Sequence, residues 1–549
     1  MIAARQAEIA EGGAAVPRRS WPKERQLAAL ALFAIAAVAI ALRLIPIVVV
    51  PSVDWPDEIF QVLEPAHRLA YGYGLVAWEF QLGVRSWLMP GLVAGMMEFS
   101  RIFGEGPDYY LPAVTVGLAA IGTIPVLCCF QICWRRFGLC GAVIGAMAVA
   151  IAPELVYFGG RTLTEVLAGH LLVLACYLLD PAHLVPSRRR IAVAGALLAL
   201  VCVARIHLAP VVAVVGLWFA WGLWRDRLVP LIVAGTVTLM LGALFDFATA
   251  GAPLPLLSRF IPYVRAYGLD AHWTTDPWYY YFLVEFTVWD GAIALVVILV
   301  GIGARQAPLF LVAALATIVV HSAIGHKEYR YFYPAIVMFM VLAGIGLAYA
   351  ATWGGDRLRD RGWRGSAAAA VAAIVALLCW SAMATQAWTG PAMTELRYRW
   401  HDQMLAARFT SRLPAICGLG LYGYRGTDWL GYGGYAWLHH PVPIYWPADQ
   451  SALTDAAPAF DTLIYVASDA TRPPEQLEFK PLHCFGSICV AQRQGRCAAR
   501  PMAALPFPEG LEAAAPPLDK FRAVEPSARP VPAERYEDER VPVLSPRTH

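Results

Sequence analysis

Three acidic side chains, Asp54, Asp57 and Glu58, cluster in the stretch "PSVDWPDEIFQ". The stretch directly follows a long apolar run, which places it at a membrane surface. A carboxylate beside apolar surface has a raised pKa and can take a proton from a hydroxyl group. The cluster is therefore a candidate general base. The alternative is a solvated helix start, because Pro56 and acidic residues both favour a first helical turn.

A second cluster is basic and lies in "GHKEYRYFYP", between two apolar runs. His326, Lys327 and Arg330 have the charge to clamp a lipid-linked phosphate and to neutralise it as it leaves. Glu328 is in a position to orient Lys327, the only lysine among the apolar runs and their short connections. The alternative is a loop whose long side chains reach to lipid headgroups within an aromatic belt.

Two further arginines stand at the ends of apolar runs. Arg161 and Glu165 belong to "GGRTLTE", and Arg205 ends the run before "IHLAP". A single arginine in such a place usually reaches to lipid headgroups. Together with the cluster that contains Lys327, however, these residues favour the binding of an anion.

Polar and aromatic residues continue along the loop that begins with the acidic cluster. Trp78, Glu79 and Arg85 suit a sugar, because an aromatic face beside a carboxylate matches a ring with hydroxyl groups. Asp246 lies inside an apolar run, where acidic residues are functional candidates by default. Pairing with a neighbouring arginine for helix packing is an almost equally good explanation of Asp246.

The composition defines the class of protein that holds these residues. Of 549 residues, 58% are hydrophobic and 15% are charged, which is more apolar than a soluble globular chain. A net charge of +3 gives no reason to expect a nucleic-acid partner. Repeated apolar runs predict an all-α polytopic protein that contacts membrane lipid, with about eleven spans near 27–49, 111–134, 139–157, 163–179, 191–206, 208–224, 229–247, 286–304, 307–324, 331–353 and 366–386.

Charge asymmetry orients these spans. With residues 1–26 in the cytoplasm, nearly all short basic loops face inward, as the positive-inside rule requires. The first loop (50–110), the loop 248–285 and the "HKEYR" cluster then share the outer side. Within that first loop, 86–103 is expected to be a helix lying along the membrane rather than a span.

The remainder of the chain divides into two parts. Residues 27–386 form the predicted membrane domain, and short strand-like runs over 387–499 predict a small outer α/β domain. This domain holds Cys417, Cys484, Cys489 and Cys497, an even number that favours disulfides whose connectivity the sequence leaves open. Proline and charged residues dominate 500–549, which predicts a disordered tail.

The motifs of both clusters occur in a recognisable order, which resembles that of glycosyltransferase family 22, the Alg9-like α-mannosyltransferases. The matching elements are "PDEIFQ" (56–61), "YG.GL..WEF" (71–80), "RSW" (85–87), "RTLTE" (161–165) and "HKEYRYFYP" (326–334). The resemblance spans about residues 50–340. It implies a GT-C fold and an inverting, metal-independent transfer without cofactor, from polyprenyl- or dolichyl-phosphate mannose to a lipid-linked glycan.

The resemblance also assigns roles. It implies that Asp57 is the leading catalytic base with Glu58 beside it, and that His326, Lys327 and Arg330 hold the donor phosphate. The other basic residues, Arg161 and Arg205, are expected to assist in binding the phosphate. Residues expected to bind substrate are Asp54, Trp78, Glu79, Arg85, Glu165 and Glu328.

The location and a rival function follow from the same observations. The absence of asparagine and the short loops are typical of a bacterial member. We therefore expect the inner membrane with the site facing the periplasm or exterior, or the lumen of the endoplasmic reticulum in a eukaryote. The rival function is a transporter or flippase for a lipid-linked sugar, but it requires polar groups on both faces, whereas those found here gather on one.

Overall fold

The protein is described by a computed structural model that covers residues 22–81, 83–180, 187–262, 275–423, 431–447, 449–468, 471–495, 497 and 511–513. Most of the predicted cytoplasmic segment 1–26 lies outside these residues. The first helix begins at Pro22, within that segment, because the charged residues at 23–25 form its first turn and the apolar run continues it.

The described part of the chain is mainly helical. Its apolar helices are Pro22–Leu44, Pro107–Ile121, Ile124–Ala150, Pro153–Phe158, Thr164–Leu179, Arg188–Ala204, Ala209–Ala220, Trp224–Ala250, Tyr280–Trp289, Ile293–Gln306, Pro308–Ser322, Tyr329–Asp360 and Gly365–Thr389. The helices outside this set are Pro56–Glu58, Glu64–Tyr71, Trp78–Gln81, Leu88–Ser100, Pro391–Tyr398, His401–Thr410, Tyr435–Leu438 and Gln450–Ala456. Tighter or wider helical turns occur at Ile45–Val49, Ile59–Leu63, Ile206–Leu208, Leu256–Phe260, Asp290–Ala292, Ala457–Ala459 and Glu475–Leu477.

Every predicted span coincides with helix. Within the described residues, six helical stretches are long and apolar enough to cross a membrane, namely Lys23–Val49, Pro107–Ala150, Trp224–Ala250, Tyr280–Gln306, Tyr329–Asp360 and Gly365–Thr389. The second of these contains two predicted spans, which meet where Gly138 adopts a positive φ of 74° and kinks the helix. The chain is an integral, multi-pass membrane protein.

The helix Tyr329–Asp360 forms the centre of the membrane domain, and its buried residues run along most of its length. Glycines let it approach the neighbouring helix closely. A Cβ atom at Gly303 would overlap the carbonyl oxygen of Leu342, and one at Gly346 would overlap that of Leu299. Small residues at such crossings allow the backbones of membrane helices to pack in direct contact.

The first outer loop forms a compact unit beside the membrane helices. The helix that begins at Pro56 continues through the wider turns at Ile59–Leu63 into Glu64–Tyr71. The helix Leu88–Ser100 follows, and it packs on Glu64–Tyr71 and on Pro107–Ile121. Leu88–Ser100 is 13 residues long, shorter than the roughly 20 residues of a typical span, as expected for a helix that does not cross the membrane.

The C-terminal region contains a small sheet. Its strands are β2 (Leu419–Tyr422), β3 (Ile444–Tyr445), β4 (Thr462–Val466), β5 (Lys480–Phe485) and β6 (Ile488–Gln492), in the order β3-β2-β4-β6-β5. The β2 strand is parallel to β3 and β4, with Leu419 opposite both Ile444 and Thr462. The β6 strand is antiparallel to β4 and β5.

Two disulfides stabilise this sheet. Cys484 and Cys489 face each other across the hairpin of β5 and β6. Cys417, just before β2, is bonded to Cys497, 80 residues later in the sequence. The four outer cysteines are thus paired, as their even number predicted.

The part of the predicted disordered tail that the structure describes is a strand. Leu511–Ala513 forms a strand, β7, antiparallel to β1 (Leu75–Ala77) in the first loop. The interaction is made by backbone groups, so the composition of the tail gave no signal for it. Other positions of 500–549 lie outside the described residues.

Candidate active site

Asp57 and Arg330 meet at the centre of the candidate site. Asp57 projects from the first turn of the helix that begins at Pro56, because the extended Trp55 directly precedes that turn. Arg330 lies in the first turn of Tyr329–Asp360, and its Nη2 atom is 2.5 Å from Asp57 Oδ2. The side chain of Asp57 remains 26% exposed, whereas that of Arg330 is only 5% exposed. The structure thus joins the acidic and basic clusters.

Arg330 is surrounded by further acidic and aromatic groups. Its Nε atom donates a hydrogen bond of 2.5 Å to Glu328 Oε2 and lies 3.7 Å from Glu165 Oε1. Its guanidinium carbon is 5.1 Å from the centre of the Tyr331 ring and 6.0 Å from that of Trp55. The Nη1 atom of Arg330 is buried and has no hydrogen-bond partner among the described residues.

Arg205 extends the site on the other side of Glu165. The two side chains form an ion pair in which each is at least nine-tenths buried. The Nε atom of Arg205 is buried and unpartnered within the described part of the chain, like Nη1 of Arg330. Two arginines around Glu165 therefore leave two N–H donors without acceptors, and this arrangement fits an anion.

Glu79 and Arg85 lie at the acidic edge of the site. Arg85 Nη2 is 3.7 Å from Glu79 Oε1, and Gln61 Nε2 donates a hydrogen bond of 2.9 Å to the same oxygen. Burial raises the pKa of Glu79, while Arg85 opposes the rise and the negative charge of Asp57 adds to it. This influence of Asp57 shows that the Glu79 carboxyl is an electrostatic neighbour of the candidate base.

Glu58, a predicted catalytic group, and Arg161, a predicted phosphate ligand, contact each other. Arg161 Nη1 donates to both carboxylate oxygens of Glu58, at 3.1 and 3.0 Å, and the two side chains are 0% and 4% exposed. Glu58 also accepts the backbone N–H groups of Asp54 and Trp55. Arg161 is further bound to Ser52. The pair fixes the helix start that presents Asp57.

Asp54, a predicted substrate-binding residue, is buried and contacts Arg399. Its side chain is 1% exposed, and its Oδ1 atom lies 3.3 Å from Arg399 Nη1. Burial raises the pKa of Asp54 to about 6, against the opposing effect of Arg399 and Arg161. The contact joins the first loop to the segment that precedes helix His401–Thr410.

Lys327, a predicted phosphate ligand, is bonded to backbone groups. Its ammonium group donates to the backbone carbonyls of Ile324, Asp276 and Gly325, at 2.5, 2.9 and 3.4 Å. These three bonds use the donors of a lysine fully, so none remains for a phosphate. Glu328 does not contact Lys327 as predicted. A loop must close around the lysine to present those carbonyls, and side-chain patterns do not show this.

Glu328 instead connects three members of its own segment. Its carboxylate oxygens accept from Arg330, from Tyr331 and from His326 Nε2, the last at 3.0 Å. Burial favours the neutral acid, but Arg330 and the hydrogen bonds from His326 and Arg330 outweigh it and lower the pKa of Glu328. Glu328 is therefore ionised and holds Arg330 in place. The side chain of His326 is 28% exposed at the edge of the site.

Some contributors to the site had no strong sequence signal. Gln61 is one turn beyond Asp57, and the four-residue spacing on a helix is the signal that could have found it. Ser86 contributes a hydrogen bond to Asp246, which lies 160 positions later, so spacing could not show the pair. The side chain of Trp78 lies outside the described residues, although its backbone begins the helix Trp78–Gln81.

The chemistry of the carboxylates bears on metal binding. At the site, Asp57, Glu79, Glu165 and Glu328 each have an arginine within 4.0 Å, so their charge is already compensated. Elsewhere in the described residues, ligand atoms of Cys417, Asp461 and Cys497 lie within 4.8 Å of one another. The two sulfurs of that group form a disulfide, which makes them unsuitable as thiolate ligands.

Comparison with known proteins identifies a matching family and two similar proteins. The model of the Alg9-like mannosyltransferase family matches residues 34–398. GPI mannosyltransferase 3 of Yarrowia lipolytica is 29% identical over 295 residues, which cover 52% of this chain and 57% of that protein. GPI alpha-1,2-mannosyltransferase 3 of Mus musculus is 26% identical over 324 residues, 57% of this chain and 58% of that protein. The chain thus spans just over half the length of these curated relatives.

A solved structure shares the fold. The crystal structure of ArnT from Cupriavidus metallidurans bound to undecaprenyl phosphate has a TM-score of 0.52 and 14% sequence identity, and the match covers 85% of this chain and 99% of that one. The predicted fold class is confirmed, since the protein is a mainly helical membrane protein of GT-C type with a small C-terminal sheet.

Proposed function

The chain belongs to the Alg9-like mannosyltransferase family, and from this membership we propose that it is an inverting mannosyltransferase. Its donor is a polyprenyl- or dolichyl-phosphate mannose, and its acceptor is a lipid-linked glycan. The names of the two relatives support the sugar and the type of acceptor. The fold shared with a protein bound to undecaprenyl phosphate is consistent with a donor of this lipid class.

One observation carries the proposal. Asp57 keeps 26% exposure, whereas Glu58 and Glu165 keep 4% and 5%. This partly accessible carboxylate lies beside Arg330, which has an unoccupied N–H donor. A base next to a receptor for an anion is the arrangement that transfer from a lipid phosphate requires.

Asp57 acts as the general base in the proposed mechanism. The acceptor hydroxyl gives its proton to Asp57 while its oxygen forms a bond to the anomeric carbon of the donor sugar. The bond between that carbon and the phosphate oxygen breaks, and the lipid phosphate leaves with the electron pair. Attack and departure occur on opposite faces, so the anomeric configuration inverts.

Arg330 and Arg205 receive the leaving phosphate. Their free N–H groups replace Lys327 and Arg161 as the proposed phosphate ligands, and His326 adds a partly exposed group at the edge. Binding of the phosphate draws on the positive charge that Arg330 shares with Asp57. This weakens the ion pair and leaves the Asp57 carboxylate available to accept the proton when the donor is present.

Metal independence is part of the proposal. The carboxylates of the site are compensated by arginines, and the same arginines supply the positive charge that a divalent cation would bring to a phosphate. Glu79 and Arg85 remain proposed ligands of the acceptor sugar, because Arg85 lies 3.7 Å from Glu79 and the Glu79 carboxyl is an electrostatic neighbour of Asp57.

The site is proposed to face the outside of the membrane. Two disulfides in the C-terminal region favour an oxidising compartment, and the short basic loops between spans favour the opposite side. We place the protein in the inner membrane of a bacterium with its site towards the periplasm or exterior. In a eukaryotic cell the equivalent side is the lumen of the endoplasmic reticulum.

A transfer assay tests the function. Purified protein in detergent is incubated with radiolabelled polyprenyl-phosphate mannose and a membrane lipid extract, with and without EDTA. We expect label in a glycolipid at the same rate in both conditions. Asp57→Asn should lower this rate by roughly 10²-fold or more, the usual contribution of a general base.

The control is Asp356→Asn. Asp356 is 52% exposed and pairs with an arginine, as Asp57 does, but it lies near the far end of the same helix that contributes Arg330. It should keep wild-type activity. A wild-type rate in Asp57→Asn would refute the assignment of the base, and a strong loss with EDTA would refute metal independence.

A further inference from the structure

A cleft opens next to the site, between the first loop and the membrane helices. Its volume is about 60 Å³, several times the space that one water molecule needs. Leucine, methionine and valine side chains form its walls, and Gln61, Arg85, Ser86 and Asp246 provide polar groups. A small polar group carried on an apolar framework, such as a hydroxyl of a sugar ring, fits this lining.

Asp246 is the unusual member of this lining. It belongs to the apolar helix Trp224–Ala250, and the whole residue is 1% exposed. Ser86 supplies a hydrogen bond to its carboxylate, but Oδ1 is buried and lacks a partner among the described residues. An unsatisfied carboxylate oxygen in an apolar setting is costly, and a donor group from a ligand would remove the cost.

The polar end of the cleft lies on the side of the base. Gln61 follows Asp57 by one helical turn, and its amide donates to Glu79, the electrostatic neighbour of Asp57. Arg85 approaches Glu79 from the same end. A molecule that enters the cleft therefore extends towards the proton-accepting carboxylate.

The charges around the site and the cleft indicate whether this molecule is the donor or the acceptor. The free N–H donors of Arg330 and Arg205 attract the donor phosphate. In the cleft, Glu79 lies 3.7 Å from the Arg85 guanidinium and compensates its charge, and the unpaired carboxylate oxygen of Asp246 repels a phosphate. We infer that Asp246 binds a hydroxyl group of the acceptor glycan and so positions the acceptor beside Asp57. This inference rests on the proposed function and adds to it a residue that determines acceptor binding.

The test separates acceptor binding from chemistry. The acceptor probe is the unlabelled glycolipid fraction of the membrane extract that receives label in the transfer assay. Initial rates are measured against this fraction and against the donor for wild type, Asp246→Ala and Asp246→Asn. Release of free mannose from the donor is measured without acceptor. We expect Asp246→Ala to raise the KM for the acceptor about tenfold or more, as for loss of a hydrogen bond to a charged group.

The remaining measurements distinguish this role from a structural one. The KM for the donor and the release of free mannose should stay as in wild type, and Asp246→Asn, which keeps an oxygen acceptor, should be affected less. Asp226→Asn is the matched control, since Asp226 is an exposed acid at the other end of the same helix.

Other outcomes would contradict either this inference or the proposed function. An unchanged KM for the acceptor in both Asp246 variants, or a lower KM for the donor, would overturn the inference and leave the proposed function intact. Wild-type protein with neither transfer nor release of mannose would overturn the proposed function, and the inference with it.

Discussion

At the scale of single residues, the chemical types were predictable and several partners were not. The sequence predicted that acidic and basic groups would gather at one site, and Asp57 and Arg330 meet there. It did not predict that Glu58 and Arg161, 103 positions apart, would bind each other. A single sequence shows which residues carry charge, whereas the fold decides which charges neutralise one another.

The geometry of Arg330 leads to a prediction at this scale. Its planar guanidinium contacts Asp57 and Glu328 and retains a free N–H group, and an ammonium group cannot reproduce this arrangement. Arg330→Lys should therefore lower kcat by roughly 10²-fold, as for removal of a preorganised donor. The measurement is the transfer assay at saturating donor.

Arg357→Lys serves as the control for that prediction, since Arg357 lies near the other end of the same helix. Circular dichroism of both variants in detergent checks that the helices remain folded. An Arg330→Lys protein with wild-type kcat would show that the fork of the guanidinium is not needed.

At the scale of helices and loops, periodicity and hydropathy were sufficient to find the elements but not their connections. All predicted spans are helical, because long apolar runs in lipid have few alternatives to helix. The loop around Lys327 was beyond such reasoning. Lys327 donates to backbone carbonyls of two segments. Every residue has a backbone carbonyl, so the residue types of these segments do not indicate the contact.

Lys327 provides the prediction for this scale. Lys327→Met removes three hydrogen bonds to carbonyl groups while keeping the length of the side chain. We expect a loss of roughly 1–3 kcal/mol in local stability, the cost of leaving buried acceptors unsatisfied. Hydrogen exchange should accelerate at 275–280 and 324–329.

The same variant distinguishes a structural lysine from a phosphate ligand. The KM for the donor should change less than that of an Arg205→Met variant, because Arg205 has the free donor and Lys327 has none. A much larger rise of that KM in Lys327→Met, with unchanged exchange, would restore the phosphate-binding role.

At the scale of the whole molecule, buried polar contacts join the first loop to the C-terminal region. Glu64, 0% exposed, accepts the N–H groups of Leu75, Tyr435 and Ala436. Tyr110 donates a hydrogen bond to the carbonyl of Ala436 from the side of the membrane helices. The sequence predicted that these parts belong to separate domains, and its composition could not show the buried hydrogen bonds that join them.

The buried Glu64 makes this junction sensitive to pH. Burial raises the pKa of Glu64 to about 7, from 4.5, while three backbone hydrogen bonds oppose the rise. Between these values the folded protein holds a proton that the unfolded chain has released. Protonated Glu64 therefore stabilises the folded protein at low pH. This contribution to the free energy of unfolding, about 3 kcal/mol in total, is lost as the pH rises towards 7.

Comparison with Glu64→Gln measures the effect. The neighbouring His67 and His439 have pKa values lowered by burial to about 3 and 4, so they contribute the opposite slope in both proteins. Melting temperatures in detergent should show wild type losing stability relative to the variant from pH 5 to pH 7.5. A difference that does not vary with pH would contradict the assignment.

The junction at Glu64 also has a consequence for the time at which the protein becomes functional during its synthesis. The proposed base lies in the first loop, which leaves the ribosome early, but two of the three backbone N–H groups that Glu64 in that loop accepts belong to Tyr435 and Ala436. Those positions are translated after every predicted span. Two of the three hydrogen bonds to the buried Glu64 therefore form only after the C-terminal domain has been made. If the proposed function is right, nascent chains that stop within the membrane domain should be inserted in the membrane yet inactive in the transfer assay.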